Sequence, residues 1–129
     1  MHIDSLNYKD WIVKVADDIR WAEHGYDGKF YEQVCFISQQ IIEKTFKAFM
    51  LFHKRPLRKI HDLASLLENC VQIDSSFSDF QGACDQITQY YVETRYPGVR
   101  IAVDGKDASE ALEKAKEIFN FVKQKIGEK

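Results

Sequence analysis

Residues 29–53 carry the strongest constraint on the fold. At 100° per residue, Val34, Cys35, Ile37, Ile41, Ile42, Phe46, Ala48, Phe49 and Phe52 spread over about half of a helix circumference. A helix with so wide an apolar arc has to be covered from several sides, which predicts the central helix of a bundle. A sheet has little to form from. The short alternation Val99, Ile101, Val103 has no partner strand and reads as a packed loop.

Four further segments carry helical periodicity. The first runs from about Asn7 to His24, with Ile12, Val15, Ala16, Ile19 and Ala22 on one stripe, and a GYDG turn follows at 25–28. A basic connector, Lys54–Lys59, contains Pro56. The next helix is expected over about His61–Val71, with Asp62 as N-cap and Leu63, Leu66, Leu67 and Cys70 inward. Another starts near Phe77 behind a Ser76/Asp79 capping pair and turns Phe80, Cys84, Ile87 and Tyr91 inward. It should stop at about Arg95, because Tyr96 precedes Pro97. The last opens with Asp107 and Glu110 and runs to about Ile126, with Ala108, Ala111, Leu112, Ala115, Ile118, Phe119, Val122 and Ile126 inward. The expected fold is all-α: a single domain over residues 1–129, built as an up-and-down bundle of five helices.

A chain of 129 residues can bury such a core without staples. With 45% hydrophobic residues it is not disordered. No apolar run approaches the roughly 20 residues of a membrane span, and MHIDSLNYKD does not read as a signal peptide, so a cytoplasmic location is expected. Cys35, Cys70 and Cys84 are odd in number, lack CxxC spacing and sit among apolar neighbours, which predicts buried free thiols. Seventeen aromatic residues exceed what so small a core hides and point to a homodimer.

The usual catalytic signatures (GxGxxG, GxxxxGK[ST], HExxH, GxSxG) are missing, and the four histidines are scattered, so neither a metal nor a cofactor is expected. Three features remain. Between Lys44 and Lys59 stand six basic residues and no acid, in a chain whose net charge is −2. That segregation attracts anions or simply solvates a connector. On the central helix Gln40, Glu43, Lys44 and Lys47 fall within about 100° of arc opposite the apolar face, where they would meet solvent or a groove. Glu43 and Lys47 would in either case make an i,i+4 pair. Finally, Arg95 stands between Tyr91 and Tyr96 ahead of Pro97 and Gly98. An arginine so flanked stacks on a base or binds a phosphate, or it locks its loop by pairing with Glu43.

QQIIEKTFKAFMLF at 39–52, KIHDLASLL at 59–67 and YYVETRYPG at 90–98 together resemble the HEPN domain family, small helical bundles named for nucleotide binding. The matching residues are Gln39 or Gln40, Glu43-Lys44, Lys47-Ala48, His61-Asp62-Leu63, Tyr91 and Arg95-Tyr96-Pro97, in that order, and the likeness spans about residues 8–125. The resemblance implies a four-helix-bundle-like fold of four or five helices, frequent homodimerisation, and action beside a minimal nucleotidyltransferase in toxin–antitoxin or nucleotide-transfer systems. Other members are metal-independent RNases with an R-x4–6-H motif. Here that spacing occurs at Arg55 and His61, while Arg95 and Arg100 have no histidine after them.

The leading expectation is a non-enzymatic protein binding a nucleotide or RNA segment with a nucleotidyltransferase partner. Lys44, Lys47, His61 and Arg95 would converge at one groove, Tyr91 and Tyr96 would stack on the base, and Glu43 would position Arg95. The first amides of the helix behind Asp62 would take a phosphate. The alternatives are an RNase toxin using Arg55 or Arg95 with His61, and a helical assembly module without a ligand.

Overall fold

The computed structural model describes residues 7–57, 62–95 and 103–127, and for 91–95 the description covers the backbone alone. Five helices follow one another: α1 Tyr8–Asp27, α2 Tyr31–Phe52, α3 Leu63–Ile73, α4 Gln81–Arg95 and α5 Gly105–Lys125, with a 3₁₀ turn Ser75–Phe80 leading into α4. No strand occurs among the described residues. Val103 is half-buried against the core, while Val99 and Ile101 lie outside the described residues.

The central position of α2 follows from its apolar arc: it packs against all four other helices. α1 runs antiparallel to it, with Gly25 beside Val34, Asp18 bonded to Lys44, and Tyr8 edge-on to Phe52. α5 runs parallel to α2. Gly105 meets the Tyr31 ring at one end, and Phe121 joins Phe77, which contacts Phe46 and Phe49, at the other. α4 comes back antiparallel, from Phe80 beside Phe121 to Tyr90, whose hydroxyl donates to Asp107 in the first turn of α5. α1, α2, α4 and α5 thus alternate up and down. The short α3 lies across the C-terminal half of α2, where the Cys70 thiol points at the Phe46 carbonyl.

Several boundaries differ from the sequence expectation for identifiable reasons. α1 does not stop at His24. It continues through Gly25, where an added Cβ would come within 3.2 Å of Val34, and turns at Gly28 and Lys29. Ala16 is exposed, while Trp11 and Asp18 are buried in its stead. The chain enters the 3₁₀ turn under Asp74, which accepts from the Ser76 N–H and hydroxyl, so Asp74 caps it and Ser76/Asp79 does not. α5 opens one turn earlier than expected: Asp104 and Asp107 form the capping box, the same i,i+3 spacing shifted by three. Asp62 caps α3 as expected, and all eight inward residues assigned to α5 are buried.

All three thiols are buried and free. Burial pushes Cys35 and Cys84 up to about 12 and raises Cys70 as well, which makes them inert packing groups. No described helix is long and apolar enough to cross a membrane.

Candidate functional site

The polar sector of α2 does not open to solvent. Glu43 and Lys47 are each only 7% exposed, and Gln39 beside them is 3% exposed. The Lys47 ammonium donates to Glu43 Oε1 at 3.0 Å and sits 5.7 Å from the centre of the Trp11 ring on α1. Two charges taken out of water are tolerable only when they compensate each other. Trp11 adds a face for the ammonium, although its own Nε1 is buried without an acceptor among the described residues. Lys44, one turn away, donates to Asp18 Oδ2 at 2.7 Å, and Lys14 approaches the other oxygen of that carboxylate at 3.5 Å. Gln40 is half-buried and donates to Gln39 Oε1 at 2.9 Å. The stripe is therefore a seam that welds α1 to α2, and both of its lysines are already neutralised.

The amides at the start of α3 are occupied too. Asp62 accepts from Ala64 N at 2.9 Å and Ser65 N at 3.3 Å, and it also receives the Ser65 hydroxyl, whose hydrogen bond holds its carboxyl below the usual range. A phosphate would have to displace a carboxylate of the same chain.

Tyr90 reaches Asp107, beside the first turns of α2, and α4 ends one turn further on. Of the groups expected to converge in one groove, Lys44 is engaged by Asp18 and Lys47 by Glu43. His61 and Tyr96, with the side chains of Tyr91 and Arg95, lie outside the described residues.

What remains open is the tip where α2 ends. The Arg55 N–H returns to the Met50 carbonyl and the Lys54 N–H to the Leu51 carbonyl, both at 2.9 Å, which closes the helix with a Schellman turn. Such a turn needs a left-handed residue, and Lys54 takes it with φ 57°. A side chain there costs roughly 1 kcal/mol that glycine would avoid. His53, Lys54 and Arg55 are all exposed, and Lys54 and Arg55 have no carboxylate partner among the described residues. The His53 ring is fixed between Phe49 and Phe52, at 4.6 and 5.1 Å. In sequence the run continues with Arg58 and Lys59, which lie outside the described residues.

Sequence reasoning missed Asp18. The signal was present: an acid on the buried stripe with Val15 and Ala22 needs a buried base, and Lys44 was within reach. Among the described residues no group of three His, Cys, Asp or Glu side chains stands at metal-holding distance.

The comparisons agree with this architecture. An archaeal HEPN homologue, ST0689, is 28% identical in its crystal structure and superposes with a TM-score of 0.77, covering 94% of this chain and 98% of its own. TT1696 from Thermus thermophilus is 27% identical with a TM-score of 0.82, covering 92% and 97%. No curated protein matches this chain. The HEPN domain family matches residues 8–125, nearly the whole length, and this chain belongs to that family.

Proposed function

We propose that this HEPN protein binds rather than cleaves: it takes the phosphates of a nucleotide or a short RNA segment at the basic tip of α2, and it acts beside a minimal nucleotidyltransferase in the cytoplasm. One observation carries the reading. Lys54 occupies a left-handed position that favours glycine, in the middle of exposed cations without counter-ions, while the lysines further back on the same helix are consumed by Asp18 and Glu43. Backbone strain of this kind persists where the side chain is useful. Charge-assisted contacts to phosphate contribute about 1.5–3 kcal/mol each, and the His53 ring offers a face beside them.

The experiment is a titration of fluorescent mononucleotides and short single-stranded RNAs at low and at physiological salt, with and without a co-expressed minimal nucleotidyltransferase. The reading expects binding that weakens as salt rises, RNA recovered intact, and retention of the partner. Chelator-resistant RNA cleavage that Arg55→Ala abolishes would establish the nuclease reading in its place. Absence of binding to any of these anions would leave the chain an assembly module.

A further inference from the structure

α4 and α5 both lie along α2, yet their backbones hardly approach each other. They meet through side chains at two points. Phe80 stands edge-on to Phe121 at one end, and the Tyr90 hydroxyl donates to Asp107 at the other. Between these points runs an open trough of about 460 Å³, in the size range of small-ligand sites. Its floor is apolar, with Ile118 and Phe80 buried and the Phe121 ring half-buried beside them. Small residues on the α4 wall keep it open: Ala83 lines it, and a Cβ added at Gly82 would meet nothing within 4 Å. The charges on its walls are unspent. Asp79 precedes Phe80 at the Phe121 end, Lys114 stands two turns back along α5 on the level of Gln86, and Glu117 lies between them. None of Asp79, Lys114 and Glu117 makes an ion pair or hydrogen bond through its side chain among the described residues. Lys125, which crosses the Phe121 ring, is engaged by Asp74.

We infer that this trough binds a short apolar peptide with both termini free, its ammonium at Asp79 and its carboxylate at Lys114. The length follows from the helix. From Lys114 to Phe121 is roughly 10 Å along α5, which an extended chain of about three residues spans. The polarity follows from the charges. A purely cationic ligand would meet Lys114 at one end. A purely anionic one, a nucleotide included, would meet two carboxylates. A molecule with opposite charges at its two ends satisfies both. A peptide adds what a simple zwitterion lacks: backbone N–H groups for Glu117 to accept, and side chains to cover Ile118, Phe80 and Phe121. Burial of those side chains supplies affinity, while the end charges select length and direction. The trough shares no residue with the tip of α2, and the inference does not depend on what binds there.

The test is calorimetric titration of the full chain with tri-leucine and with its N-acetylated, C-amidated and doubly blocked forms. Saturable binding of tri-leucine is expected, weakened about three- to fivefold by blocking either end. Lys114→Ala should weaken the free peptide by the same factor and the C-amidated one no further. Asp79→Asn should stand in the same relation to N-acetylation. Ala83→Leu, which lengthens a side chain on the trough wall, should abolish binding without lowering the melting temperature. Failure of tri-leucine to bind overturns the inference, and so does binding that Ala83→Leu leaves unchanged. A doubly blocked peptide that binds as tightly as the free one overturns it too, because the trough would then be a plain apolar surface. Displacement of tri-leucine by a mononucleotide would overturn it by making the trough a nucleotide site.

Discussion

The C-terminal half of α2 carries two sets of cations that look alike in sequence and differ in every physical respect. Lys44 and Lys47 lie in the seam with α1, held by Asp18 and Glu43 and largely out of water. Lys54 and Arg55, two turns further on, stand in solvent at the end of the helix with no counter-ion among the described residues. The four described residues of that basic run thus divide into structural cations and available ones. The division is made by helix register, which turns the first pair toward α1, and by the Schellman turn, which lifts the second pair clear of the bundle.

The largest effect expected from this contrast is in the seam. Glu43→Ala leaves Lys47 buried and uncompensated, and stability should fall by about 3–5 kcal/mol, seen as a melting temperature lower by 10 °C or more in calorimetry. Replacing both partners with apolar residues of similar size, Glu43→Leu with Lys47→Met, should recover most of that loss. A single variant that melts like wild type would mean that the pair is solvated after all.

At the tip the sign reverses. Lys54→Gly removes a side chain from a left-handed position and should stabilise the fold by roughly 1 kcal/mol. Lys29 closes α1 in the same conformation, with φ 64°, so Lys29→Gly should gain a similar amount. The two variants part in function: the account expects weaker phosphate binding for Lys54→Gly and none of that change for Lys29→Gly. Equal binding by both would remove the special role of Lys54.

A smaller effect appears in acid. The Ser76 hydroxyl, then Lys125, hold the Asp74 carboxyl down to about 2, below its ordinary value near 4. A group whose folded pKa is depressed contributes its stability above the unfolded value and loses it as pH falls through the folded one. Melting curves of wild type and Asp74→Asn should therefore differ by a constant amount above about pH 5 and converge between pH 4 and 2. A gap that persists at pH 2 would show that the charge of Asp74 is not what caps the turn.

How much of this was legible in the sequence depends on how local the determining interaction is. α5 was readable residue by residue because its apolar stripe repeats without interruption and faces one neighbour, α2, for most of its length. Its start was not, since Asp104, Asp107 and Glu110 repeat the same spacing and only the tertiary position of Gly105 under Tyr31 selects the first pair. The burial of Glu43 and Lys47 was hidden for a different reason. Angular position on one helix says which residues share a sector, and the depth of that sector is decided by how α1 and Trp11 lie over it. The same ground hid the fate of two lysines expected in the groove: their type suited a phosphate, but Asp18 and Glu43 hold them in the seam.

The most direct measurement of the central claim is phosphate-ligand affinity in two charge variants read side by side. The account predicts that Lys54→Glu with Arg55→Glu weakens binding of a short RNA at least tenfold and flattens its salt dependence, because each lost phosphate contact removes about one unit of the log–log slope. It predicts that Lys44→Met leaves affinity within about twofold while lowering the melting temperature, since that lysine serves Asp18. Strong loss of binding in Lys44→Met, with the Lys54 and Arg55 double variant binding as tightly as wild type, would contradict the account and return the ligand to the seam.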